Sequence, residues 1–133
     1  MGFDPFERVK LGTTDVEVTR LGFGSAEIGG LYEAVPDAQA ASLIAHMWES
    51  GVRYFDSAPL YGYGTAERRV GNGLRAHHRD EYTLSTKVGR LLVPIEPVAD
   101  GEGQPKPGEV DFFYGAIPAL KIQYDYTREG VMR

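Results

Sequence analysis

The stretch Gly51-Val52-Arg53-Tyr54-Phe55-Asp56 decides the architecture, because a helical hydrophobic period lies on either side of it. Val52 to Phe55 is a short apolar run that ends on a charged residue, so it reads as a buried strand with Asp56 where the strand leaves the core. Before it, Ala40, Leu43, Ile44, Met47 and Trp48 recur at helical spacing and share one face. Asp37 is the expected cap of that helix and Gly51 its left-handed stop. After it, Thr65 is the expected cap of a second helix, with Ala66, Val70 and Leu74 inward and Glu67, Arg68, Arg69 and Arg75 outward. Gly71 and Gly73 each weaken this helix by roughly 1 kcal/mol relative to Ala, a cost that close packing on a neighbour can offset. Tyr82 to Val88 then reads as a β-branched strand, with Lys87 near its C-terminal end. Strand and helix in alternation spell successive βαβ units, and these need a parallel sheet with covering helices.

Toward the N-terminus, Val9 to Leu11 and Val16 to Val18 flank the turn residues Gly12-Thr13-Thr14-Asp15, which predicts a hairpin. Arg20-Leu21-Gly22-Phe23-Gly24 follows as a first buried strand. Toward the C-terminus the rhythm stops. Pro94, Pro97, Pro105, Pro107 and three glycines between residues 94 and 108 predict a mobile surface loop, spanning about residues 90–110. Asp111 to Tyr126 is aromatic and extended in flavour, and Asp125 to Val131 reads as a cap leading into a helix in which the chain ends.

Composition narrows the chemistry. A chain of 133 residues holds one compact domain rather than two. Its 14 Lys+Arg against 19 Asp+Glu give a net charge of −5, which argues against a nucleic-acid partner, since that affinity rests on neutralising phosphates. Without cysteine there is no disulfide, thiolate metal site or thiol nucleophile. The N-terminal residues mix charge with scattered apolar groups, and no apolar run reaches the length of a signal peptide or a membrane span. A cytoplasmic location is expected. The segment Gly71-Asn72-Gly73-Leu74-Arg75-Ala76 matches a dinucleotide fingerprint, but a helical pattern precedes it where a strand is required.

The charged strand ends are where chemistry is expected. Asp56 closes one strand and Lys87 the next, and Tyr61 lies in the loop after Asp56. In parallel α/β folds the loops at the C-terminal strand ends converge on one face, so the three can meet. An ammonium beside a phenol favours the phenolate and suits the Tyr to proton transfer, with Asp56 holding the Lys. The competing reading is an Asp that forms a turn and a Lys that is simply solvated.

Three segments carry a family likeness: Leu21-Gly22-Phe23-Gly24, the run from Gly51 to Glu67 with Asp56-Ser57-Ala58-Pro59-Leu60-Tyr61-Gly62, and Leu84-Ser85-Thr86-Lys87-Val88-Gly89-Arg90. Together they resemble the N-terminal half of an aldo-keto reductase, closest in flavour to bacterial aldose, fucose and pyridoxal dehydrogenases. The resemblance covers essentially the whole chain. It implies an α/β fold, part of a (β/α)8 TIM barrel of about 250 residues, with an N-terminal hairpin and about three βα units. It also implies hydride transfer between NADP or NAD and a sugar or small carbonyl substrate. By motif, Asp56, Tyr61 and Lys87 take the catalytic places, and Gly24, Ser25 and Ala26, with Asp56, lie near the nicotinamide. The family's fourth catalytic residue, a His, and most contacts to the cofactor's phosphates and adenine are expected after residue 133. His46, His77 and His78 do not match that His by position and are expected at the surface or in packing, with no metal implied. A different class of reading is a non-catalytic barrel remnant that acts as a scaffold or self-associates through an open barrel edge. A third, isomerisation on the same half-barrel, lacks paired carboxylates or a metal-ligand cluster.

Overall fold

The computed structural model describes residues 2–94, 110–111, 115–116 and 119–132. The expected hairpin forms from β1 (Arg8–Lys10) and β2 (Glu17–Thr19), antiparallel with Val9 opposite Val18. Next comes a parallel sheet of β3 (Phe23–Gly24), β4 (Tyr54–Asp56) and β5 (Thr83–Ser85), in spatial order β3-β4-β5. Helix α1 (Asp37–Ser50) connects β3 to β4, and α2 (Thr65–Leu74) connects β4 to β5. Each crossover therefore contains a helix, as parallel pairing demands. Beyond β5, β6 (Arg90–Pro94) pairs antiparallel with β9 (Leu120–Tyr124), and β7 (Val110–Asp111) with β8 (Gly115–Ala116). A short helix, α3 (Arg128–Met132), follows.

The core lies between the sheet and the two long helices. Phe55 points from β4 toward the helices and is fully buried with Ile28, Ala40, Ile44, Val52, Val70 and Leu74. The apolar faces read from the 3.6-residue period hold: Leu43, Met47 and Trp48 pack against this cluster, and Ala66 is buried as well. The strands are shorter than expected. The first is only Phe23–Gly24, and β5 stops at Ser85, so Lys87 stands beyond the strand end.

Several local expectations are corrected. Pro36, not Asp37, caps α1, because the Asp37 carboxylate is drawn to Arg69. Gly64, at φ 87°, rather than Thr65, caps α2. Arg69 does not face outward. Its side chain is 12% exposed, and its guanidinium donates to Asp37 Oδ1 and to the carbonyls of Ile28 and Val35. Gly51 ends α1 at φ 107° as expected. Of the two glycines in α2, Gly73 permits the close approach of α1 whereas Gly71 faces open space. Residues 90–94, read as the start of a loop, form β6, while residues 95–109 of that loop and Ile117-Pro118 lie outside the described residues.

His46 is exposed, one of the two places expected for it. The His77 ring stacks on Trp48 with centroids 3.5 Å apart. His78 precedes the 3-10 turn Arg79–Glu81, and its backbone N–H donates to Glu81 Oε2. Among the described residues, no group of His, Cys, Asp and Glu could hold a metal ion, and no helix is long and apolar enough to cross a membrane.

Candidate active site

Parallel pairing brings the C-terminal ends of β3, β4 and β5 side by side. Gly24 is the register partner of Asp56, and Asp56 that of Ser85. Along β4 the side chains alternate, so Phe55 enters the helix-side core while Tyr54 and Asp56 share the opposite face. On that face Lys87 reaches back past the end of β5. Its Nζ donates to Asp56 Oδ2 at 2.7 Å and to the Ser57 carbonyl at 2.8 Å.

Tyr61 completes the group, with its ring centroid 5.1 Å from Lys87 Nζ. The tyrosine is placed by the loop between β4 and α2, which is pinned by close backbone contact. A Cβ on Gly62 would overlap the Gly29 carbonyl oxygen, and one on Gly29 would lie 2.8 Å from the Tyr61 carbonyl carbon. Both positions therefore require glycine, and Gly62 also sits at φ 62°. Glu67, on the first turn of α2, accepts from Thr86 Oγ1 at 2.6 Å and fastens the segment that carries Lys87.

The charges at the site reinforce one another. Burial raises the Asp56 pKa, but hydrogen bonds from Lys87 and Ser85 and the Lys87 charge outweigh it and hold the carboxyl below its ordinary value. Burial likewise works against the Lys87 ammonium, while Asp56, through its hydrogen bond and its charge, and then Tyr61 hold its pKa above the ordinary lysine value. The pair is thus a carboxylate and an ammonium throughout the neutral range.

The three residues expected at the reaction centre are brought together. The Gly24-Ser25-Ala26 segment adjoins them, since Ser25 N–H donates to the Asp56 carbonyl at 3.0 Å. The Ser25 hydroxyl, however, is fully buried and donates to Ser57 Oγ at 2.9 Å, so what the segment presents outward is backbone and Gly24. Ser57, Ser85 and Tyr54 were not singled out from the sequence. Their signal lay in the strand register, which puts Ser85 opposite Asp56.

Known proteins place the chain in a family. The chain is 40% identical over 127 residues to pyridoxal 4-dehydrogenase of Microbacterium luteolum, an alignment covering 96% of this chain and 37% of that protein. It is 36% identical over 114 residues to D-threo-aldose 1-dehydrogenase of a Pseudomonas species, covering 86% of this chain and 33% of the relative. The chain thus spans about a third of the length of these curated relatives. Among solved structures, an aldo-keto reductase from Bacillus halodurans in its holo form superposes with a TM-score of 0.57 at 32% identity, over 72% of this chain and 29% of that one. A glycerol dehydrogenase from Gluconobacter oxydans, at 22% identity and a TM-score of 0.55 over 94% of this chain and 32% of its own, shares the fold. These neighbours are (β/α)8 barrels, of which the described residues form a part without closing it. The model of the Aldo/keto reductase family matches residues 20–114, more than half of the sequence, and the chain belongs to that family.

Proposed function

We propose that the protein is an NAD(P)-dependent oxidoreductase that moves hydride between a nicotinamide and the carbonyl or alcohol carbon of a sugar or small aldehyde. One observation carries the reading: Lys87 Nζ stands 2.7 Å from Asp56 Oδ2 and 5.1 Å from the Tyr61 ring centroid, at the C-terminal ends of parallel strands. A phenol beside a fixed ammonium is suited to proton transfer at a substrate oxygen. In reduction Tyr61 gives its hydroxyl proton to that oxygen, and in oxidation it takes the proton back. Lys87 stabilises the negative charge that develops on the phenolic oxygen, and Asp56 and the Ser57 carbonyl hold Lys87 in place.

The residues present fit the nicotinamide end of the cofactor. A Cβ at Gly24 would meet nothing within 4 Å, so the backbone beside Asp56 is open to a flat ring, and Ala26 lies in the same turn. Ser25 supports this shelf from beneath through Ser57. Nicotinamide, when bound, supplies or accepts the hydride. The dehydrogenases of pyridoxal and of aldoses among the relatives recommend those two substrate types for the first assays.

The test follows nicotinamide absorbance with pyridoxal and with aldoses, in the wild type and in Tyr61→Phe. Turnover that falls at least about a hundredfold in the variant is expected. Wild-type turnover in Tyr61→Phe overturns the assignment. The scaffold reading is favoured by the side of the three-stranded sheet that has no partner strand among the described residues, through which we expect copies of the chain to associate. Fluorescence titration with NADPH and NADH separates the two: saturable binding supports the oxidoreductase, and none supports the scaffold.

A further inference from the structure

Asp56 has two carboxylate oxygens, and only Oδ2 meets Lys87. The other, Oδ1, accepts a hydrogen bond from Ser85 Oγ at 2.5 Å. Ser85 Oγ is also 3.1 Å from the Tyr54 hydroxyl. A serine hydroxyl has one proton, and that proton is committed to the carboxylate. Tyr54 must therefore be the donor to Ser85, and the bonds run in one direction, from Tyr54 O–H to Ser85 Oγ and from Ser85 O–H to Asp56 Oδ1.

We infer that Ser85 and Tyr54 are positioning residues for the reaction centre: they clamp Oδ1 of Asp56 so that Oδ2 stays aimed at the Lys87 ammonium beside Tyr61. The sequence builds this chain by register. Tyr54 and Asp56 are two apart on β4 and share a face, and Ser85 is the partner of Asp56 on β5. The far end is fixed as well, because Tyr54 packs flush on the backbone at Gly22, where a Cβ would lie 2.6 Å from Tyr54 Cδ1. Donors linked in series strengthen one another, so removing the middle one costs more than removing the outer one. Lys87 is the titratable group in contact with this carboxylate, Tyr61 is linked to it through Lys87, and Tyr54 through Ser85.

The inference rests on the proposed oxidoreductase activity, and its test has one readout independent of that activity. Asp56 is titrated by carboxyl-carbon NMR, and kcat and KM are measured, in Ser85→Ala, Ser85→Thr and Tyr54→Phe. Ser85→Ala is expected to raise the Asp56 midpoint and to lower kcat about tenfold at unchanged KM, the scale of a lost hydrogen bond to a charged group. Ser85→Thr keeps the hydroxyl and should keep both values, and Tyr54→Phe should move both in the same direction by less. An Asp56 midpoint in Ser85→Ala equal to that of the wild type overturns the inference, as does a Ser85→Thr protein no better than Ser85→Ala. Should Tyr61→Phe retain wild-type turnover, the role given to Tyr61 falls; should the wild type show no turnover, the proposed activity falls. In either case the Asp56 titration still decides the role of Ser85.

Discussion

Lys87 Nζ lies 2.7 Å from Asp56 Oδ2 although the two side chains are 49% and 34% exposed. Asp56 is held below its ordinary 3.8, so what the pair adds to stability is present above 3.8 and is lost as pH falls through the lower folded value. Lys87 is held above its ordinary 10.5, so its share is complete below 10.5 and is lost as pH rises through the higher folded value. Thermal unfolding of the wild type and of Lys87→Met should therefore differ by a constant amount between those limits and converge outside them. With both groups this open to water, the gap is below about 1 kcal/mol. A gap that persisted in acid, after Asp56 had titrated, would contradict the origin given for it.

Arg69 holds the segment that follows the Gly24–Ala26 turn. Its Nε donates to Asp37 Oδ1 at 2.8 Å and its Nη2 to the Val35 carbonyl at 2.7 Å, while Nη1 reaches the carbonyl of Ile28. Arg69→Met should lower stability by about 2 kcal/mol, because the carbonyls of Ile28 and Val35 lose their donor. Asp37→Asn should cost less, since Asp37 is open to water and the carbonyl contacts survive. Urea unfolding of the two variants settles the order, and a larger loss in Asp37→Asn would place the weight on the ion pair instead.

The same two residues mark where the sequence was legible and where it was not. Helix faces could be read because period alone sets them: Ala40, Ile44, Val70 and Leu74 are all buried. Asp56 could be placed because an apolar run ends on it. Caps are different. Asp37 has the chemistry of a cap, but a guanidinium from 32 positions away claims its carboxylate, and no local pattern encodes that. Arg69 looked solvated for the same reason. Pro94 read as a breaker, yet it sits at the end of β6, where its missing N–H is tolerated. Of the candidate site, the meeting of Asp56, Tyr61 and Lys87 was legible from motif and spacing. Ser85 was not, since a serine near a strand end acquires meaning only from its partner across the sheet.

The two glycines of α2 should respond to alanine with opposite signs. Nothing lies within 4 Å of a Cβ at Gly71, so Gly71→Ala gains helix propensity of up to about 1 kcal/mol. At Gly73 the added carbon would stand 2.6 Å from Ile44 Cγ2 and 3.1 Å from Ile44 Cβ, close to the backbone of α1 rather than at a flexible tip. The helices must then separate, and Gly73→Ala should lose about 1 kcal/mol net of the same propensity gain. Chemical denaturation of both variants gives the signs directly, and stabilisation by Gly73→Ala would show that α1 yields easily.

The side of β5 away from β4 has no partner strand among the described residues. Near it Leu84 is 38% exposed and Val88 55% exposed, apolar surface that a closed sheet would cover. Unpaired edges of this kind template pairing with another chain, and a charge placed on them opposes it. The 133-residue chain expressed alone should therefore self-associate, and Leu84→Lys should shift it toward monomer. Sedimentation velocity across a concentration series reads both outcomes. A wild-type chain that stays monomeric at all concentrations would mean that this edge is protected. Association unchanged by Leu84→Lys would place the contact on another surface.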